Sequence, residues 1–164
     1  EEEGENEYAA LDYIASLPEE ETKAELPPQK ISMKLIAGRA FGEDALAGLS
    51  ADEVAERVLA LQHVRLDEER VEEIDNLEML GVGVSHLYLQ RNLIARIENL
   101  ESMRGLQLLC LASNGIKVLE NLLCLKSLKA LDVGYNMIQG IGRGEVPPSV
   151  LYLTTDGNPL EEMG

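Results

Sequence analysis

The stretch VSHLYLQRNLIARI, residues 84–97, sets out a pattern that the chain repeats. LQLLCLASNGIKVL follows at residues 106–119, LKALDVGYNMIQGI at residues 128–141, and the shorter VLYLTTDGNPL at residues 150–160. Each version begins 22 residues after the previous one, with leucine, asparagine and isoleucine in nearly constant register. Such a period is typical of repeat proteins, in which each unit buries its apolar side against the next. The sequence therefore predicts a solenoid.

One column of the repeat is asparagine, at Asn92, Asn114, Asn136 and Asn158. An asparagine amide both donates and accepts hydrogen bonds, so it can satisfy turn backbone groups that a solenoid buries. We therefore predict that these four asparagines are structural. The first repeat is irregular, because Glu69 stands where an asparagine is expected.

Secondary structure follows from two spacings within each repeat. At residues 87–89, Leu-Tyr-Leu, the leucines alternate with another residue, which predicts a half-buried strand. Further along, apolar residues recur at every third position, as at Ile97, Leu100 and Met103, and this spacing suits a 3₁₀ or single-turn helix. We expect the strands to pair in parallel as a concave sheet, with the short turns on the convex side.

The chain begins with a predicted acidic tail. Residues 1–30 carry ten acidic and two basic residues, a composition that seldom folds alone. Within this tail, residues 8–17 place Tyr8, Leu11 and Ile14 on one helical face. This stretch predicts either a transient helix or a helix that docks on a partner.

A lead-in and an N-terminal cap are predicted for residues 31–60. Ser50-Ala-Asp-Glu53 matches a capping box, which starts a helix, and apolar residues at helical spacing follow it. Because the stacking face at the end of a solenoid is apolar, we expect this helix to cover the open edge of the first repeat. Residues 61–164 then hold about five repeats.

The charge of the chain limits the choice of partner. Thirty acidic and 14 basic side chains give a formal charge of −16, which repels phosphate backbones and anionic lipid. Neither nucleic acid nor a membrane surface is therefore expected as a partner. No apolar run approaches the roughly 20 residues that cross a bilayer, and no signal-peptide pattern opens the chain. The two cysteines form no CxxC pair, which favours a reducing, cytoplasmic compartment.

A binding surface is predicted on the concave side, where the residues that flank each buried leucine should point. The third strand places Leu108, Cys110 and Ala112 there, with tyrosines from other repeats around them. An exposed apolar patch with tyrosines is typical of a protein-binding hot spot, whereas scattered exposed apolar residues are ordinary. We predict that one helix or strand of a partner lies across this patch, from Tyr88 to Tyr135. The predicted binding residues are Tyr88, Arg91, Leu108, Cys110, Ala112, Asp132, Tyr135 and Tyr152.

Three patterns that could carry chemistry are weak. His63 and His86 share a column, so a metal site is conceivable, but no cysteine or further histidine joins them. Cys110 has no recognisable base, and a small apolar role is the ordinary use of cysteine at such a position. The glycines of residues 140–144 lack the Gly-Lys-Ser/Thr of a phosphate loop. We therefore predict a non-enzymatic protein without metal or cofactor, and nothing indicates a homo-oligomer.

The period and the Leu-x-Leu-x-x-Asn-x-Ile pattern of residues 61–164 resemble the 22-residue leucine-rich repeats of the phosphatase-regulator subclass. Residues 61–67, 86–90 and 97–100 are similar to ciliary members of that class, which are components of the axoneme. The resemblance implies a leucine-rich-repeat solenoid of the α/β class. It also implies a structural or adaptor role in the axoneme of a cilium or flagellum, among other proteins of a large assembly. The glycine- and proline-rich fourth repeat departs from the pattern.

Two other functions are associated with repeats of this type. A phosphatase-regulatory subunit is built from the same 22-residue unit but usually contains more than five repeats. An acidic nuclear leucine-rich-repeat protein that binds histones carries its acidic run after the repeats, whereas the acidic run here precedes them. We therefore rank the axonemal adaptor first.

Overall fold

The structure, a computed structural model, describes residues 26–161 and contains one parallel sheet of five short strands. The strands lie side by side in chain order, so each pairs with the strand of the next repeat. This arrangement confirms the predicted solenoid with a parallel sheet. The predicted docking helix at residues 8–17 lies outside the described residues. The strands are β1 His63–Arg65, β2 His86–Tyr88, β3 Leu108–Cys110, β4 Ala130–Asp132 and β5 Tyr152–Thr154.

The middle residue of each strand forms the inner stack of the sheet. Val64, Leu87, Leu109 and Leu131 are aligned by the strand register, and all four are buried. Successive side chains of a strand point to opposite faces, so the residues on either side of this stack point away from the core. The last member, Leu153, is 40% exposed because β5 has a neighbour on one side only within the described chain.

Tight turns follow the strands on the convex side, and their hydrogen bonds join residues three apart. Leu80 N donates to Leu77 O, Met103 N to Leu100 O, and Leu125 N to Leu122 O, each at 3.0 Å. Only the first of these turns is long enough to count as a 3₁₀ helix, Leu77–Met79. The three-residue spacing of the apolar side chains therefore predicted the turns correctly.

The asparagine column connects each repeat to the one before it. Asn136 Oδ1 accepts hydrogen bonds from Asn114 N at 3.2 Å and Ile116 N at 3.1 Å, both in the preceding repeat. Its Nδ2 donates to Leu111 O in the preceding repeat and to Val133 O in its own, both at 2.9 Å. One buried side chain thus satisfies backbone groups in two repeats at once, as the sequence predicted.

A second asparagine column was not predicted to have a role. Asn76, Asn99 and Asn121 all have a left-handed backbone, with φ of 57° or 58°, which asparagine tolerates better than most residues. Each Nδ2 donates to a backbone carbonyl at 2.8 Å: Asn99 to Ile74 O and Asn121 to Ile97 O in the preceding repeat, and Asn76 to Ile31 O in the N-terminal segment. The recurring acidic-residue-Asn-Leu triplet was the available signal for this column.

Within residues 26–161, three helices precede the first strand: α1 Met33–Phe41, α2 Glu43–Leu46 and α3 Ala51–Leu59. The predicted helix after Ser50 is present, and both hydrogen bonds of its capping box form. This helix, α3, contacts the 3₁₀ helix of the first repeat, and α1, for which no such contact was predicted, packs against β1. None of the helices within residues 26–161 is long and apolar enough to cross a membrane.

The segment before α1 continues the repeat geometry. Gln29 N donates to Arg70 O at 2.9 Å, and Gln29 forms a parallel bridge with Val71. Ile31 is buried and offers its carbonyl to the second asparagine column. Residues 29–31 therefore take the place of part of a preceding repeat. In this way the N-terminal cap covers the apolar edge of the solenoid.

The asparagine ladder can be tested by replacing Asn136. Asn136→Ala leaves buried backbone groups in two repeats without partners, at about 1–3 kcal/mol for each unsatisfied group. We expect the free energy of unfolding, measured by urea denaturation, to fall by at least about 3 kcal/mol. Asn158→Ala is the matched control, because it removes the same contacts at the more exposed last repeat. A loss for Asn136→Ala no larger than for Asn158→Ala would contradict the role assigned to the ladder.

Candidate protein-binding face

Two rows of side chains cross the sheet and point away from the core. The parallel register places the first residues of the strands side by side, and likewise the third residues. We call these two rows the concave face. The first row is His63, His86, Leu108, Ala130 and Tyr152, and the second row is Arg65, Tyr88, Cys110, Asp132 and Thr154.

A hollow of about 220 Å³ lies in the middle of this face, and we call it the central depression. Five of the eight predicted binding residues line it: Tyr88, Leu108, Cys110, Asp132 and Tyr152. Ala130 and Thr154 also contribute, although neither was among the predicted binding residues; their position in the same columns was the signal for them.

The other three predicted residues lie outside the lining of the central depression. Ala112 follows β3 and is half-buried. Arg91 and Tyr135 occupy the position just before the asparagine column, where the backbone is left-handed, with φ of 57° and 54°. Arg91 forms an ion pair with Glu68 at 3.2 Å. The expected line of contact from Tyr88 to Tyr135 therefore runs from the depression to the rim of the face.

Tyr135 is held in an unfavourable backbone conformation at that rim. A bulky residue with positive φ is uncommon, and the strain is on the order of 1–3 kcal/mol. Tyr135 is 66% exposed, but its ring rests against Gly157, where a β-carbon would clash with the ring. The glycine in the next repeat thus makes room for the tyrosine ring.

Asp132 is the one charged residue among those that line the central depression. Asp132 Oδ1 accepts a hydrogen bond from Gly134 N at 2.9 Å, and the Cys110 thiol lies 3.9 Å from Asp132 Oδ2. Burial raises the pKa of the Cys110 thiol, and the nearby Asp132 charge raises it further. Cys110 therefore remains a protonated thiol at neutral pH, which does not favour a nucleophilic role.

The β1 end of the face is polar. The rings of His63 and His86 lie 4.2 Å apart between centroids, and burial and the charge of His63 lower the pKa of His86. Arg65 stands 5.4 Å from the centre of the Tyr88 ring and pairs with Asp67 at 3.1 Å. Across residues 26–161, no group of three or more histidine, cysteine or acidic side chains is placed to hold a metal ion.

The chain is similar to known proteins in structure but matches none in sequence. No sequence profile of a known family matches it, and no curated protein matches it in sequence. An internalin C2 from Listeria monocytogenes is similar in structure, with a TM-score of 0.55 and 21% identity over 70% of this chain and 50% of that chain. The internalin inlF of the same species gives a TM-score of 0.54 and 17% identity over 85% of this chain and 48% of that chain.

These two likenesses concern the fold. The chain spans about half the length of both internalins, and the identities are too low to carry more than architecture. Together with the parallel five-stranded sheet, they establish a leucine-rich-repeat solenoid. Such a fold is a scaffold that typically binds through its extended curved surface.

The environment of Cys110 can be tested by its reactivity. At pH 8, we expect iodoacetamide to alkylate Cys110 at least about fivefold more slowly than free cysteine, because little thiolate is present. Asp132→Asn should accelerate the reaction modestly, since the carboxylate charge no longer raises the pKa of Cys110. Peptide mass spectrometry gives the rate at this one thiol, and Asp156→Asn serves as a control of equal charge. A rate equal to that of free cysteine would show that the thiol is not buried as described.

Proposed function

We propose that this chain is a non-catalytic structural or adaptor protein of the ciliary or flagellar axoneme. It binds another axonemal protein through the concave face. The observation that carries the binding role is the central depression, on which five predicted binding residues converge. Aromatic and apolar side chains that are aligned on one accessible surface are typical of binding hot spots.

Leu108, Ala130 and Tyr152 line the depression but are not part of the buried core. The buried core is formed by other side chains, including those of the inner stack, whereas Tyr152 is 72% exposed. Ala130 lies next to Tyr152 in the first row, Leu108 lies next to Ala130, and both are half-buried. A partner that covers these residues removes apolar surface from water and gains about 25 cal/mol for each Å².

The location in the axoneme rests on sequence resemblance. Residues 61–67, 86–90 and 97–100 resemble leucine-rich repeat-containing protein forty-six of animals, a ciliary member of the phosphatase-regulator-like subclass. The partner, on this proposal, is a component of the axonemal assembly. The absence of nucleic acid or a membrane from the proposed partners follows from the acidic charge of −16.

One experiment tests both parts of this proposal. A tagged chain is expressed in ciliated cells, cilia are separated from nuclei and cytosol, and proteins that co-purify with the chain are quantified by mass spectrometry. We expect the chain in the axonemal fraction with a defined partner. Leu108→Asp places a charge in the central depression and should reduce recovery of that partner at least about tenfold.

Leu123→Asp is the matched control for this experiment. Leu123 is 48% exposed and lies in a convex turn, away from both rows of the concave face. Its substitution should leave partner recovery unchanged. Equal losses for the two variants would contradict binding through the concave face. Recovery of the chain in the nuclear fraction would contradict the axonemal location and favour the histone-binding alternative.

A further inference from the structure

The central depression contains an acidic group that the described chain does not neutralise. Asp132 is half-buried among Leu108, Ala130 and the two tyrosines, and it forms no ion pair within residues 26–161. Its two hydrogen bonds come from a backbone amide and a thiol, which are neutral donors. A carboxylate in apolar surroundings gains most from a cationic partner, because burial strengthens the attraction between opposite charges.

Aromatic walls make the depression suitable for one kind of cation. Tyr88 and Tyr152 both line it, and the face of a tyrosine ring attracts a guanidinium. The structure already contains one such contact, since Arg65 lies over the Tyr88 ring at 5.4 Å. Arg65 itself is held on β1 by its ion pair with Asp67, so it does not neutralise Asp132.

Charge is unevenly distributed along the concave face and the residues just after its strands. At the β1 end, Asp67 is paired with Arg39 at 2.9 Å and with Arg65. Towards β5, the charged residues are Asp132 and the exposed Asp156, and neither forms an ion pair within the described part of the chain. The half of the face that contains the depression therefore complements a basic partner.

We propose that the central depression receives an arginine side chain of the partner protein, an inference that rests on the proposed binding function. The aliphatic stem lies over Leu108 and Ala130, the guanidinium stacks on the ring of Tyr152, and its N–H groups donate to Asp132 on the neighbouring strand. Arginine fits better than lysine, because its planar guanidinium both stacks on rings and pairs with a carboxylate. The volume of about 220 Å³ suits one side chain and is below the range of small-molecule pockets.

The test uses two short peptides and the whole 164-residue chain. Acetyl-Ala-Arg-Ala-amide and the same peptide with citrulline, which is uncharged but nearly identical in shape, are titrated into ¹⁵N-labelled protein. The amide signals of β3, β4 and β5 should shift with the arginine peptide, with dissociation constants in the millimolar range expected of so small a ligand. The citrulline peptide should bind at least about fivefold more weakly.

Two variants make the result specific. Asp132→Asn preserves the acceptor for Gly134 N and should abolish the preference for arginine over citrulline. Asp156→Asn removes the same charge outside the depression and should preserve that preference. Equal binding of the two peptides, equal effects of the two variants, or no shift in these strands at about 20 mM peptide would overturn the proposal.

Failure of this inference can be distinguished from failure of the proposed function. If the axonemal partner is lost with Leu108→Asp but retained fully with Asp132→Asn, the concave face binds a protein without using an arginine at Asp132. If neither substitution affects the partner, the concave face is not the binding surface. Loss of the partner with both, together with the peptide preference, is the expected result.

Discussion

The solenoid depends on an asparagine side chain that completes the backbone of the repeat before it. All four asparagines of the first column accept from a backbone N–H of the preceding repeat and donate to the carbonyl just after its strand: Asn92, Asn114, Asn136 and Asn158. The side-chain oxygen and nitrogen of each asparagine must reach backbone groups in two repeats at once. These contacts therefore tolerate little change in the number of residues between repeats. The ladder therefore sets the period and, with it, the register of every strand. Because the register is constant, residues 22 positions apart in sequence become neighbours on one face.

This constraint explains how much of the molecule could be predicted from the sequence. The sequence predicted the strands, the convex turns and the role of Asn136, because each depends on a short residue pattern that recurs at a fixed period. The sequence did not show which helix would pack against β1. Both α1 and α3 are short amphipathic helices, and only their tertiary packing places α1 there. The left-handed backbone of Tyr135 was not predictable either, because a bulky residue seldom adopts that conformation.

The candidate binding site arises from differences between repeats on this uniform frame. The inner stack is valine or leucine throughout, but the two outer rows change from polar at β1 to apolar at β3 and acidic at β4. Asp132 is the one charged residue that lines the central depression. The fold provides a rigid surface, and the residues that differ between repeats determine which kind of partner group that surface can bind.

The central claim is that a partner protein covers the concave face at Leu108. Photo-crosslinking in ciliated cells tests it most directly, with p-benzoylphenylalanine incorporated in place of Leu108 in one chain and in place of Leu123 in another. We predict one crosslinked partner from position 108, mapped by mass spectrometry to a segment that contains arginine, and none from position 123. A partner captured from position 123 but not from position 108 would contradict binding through the concave face.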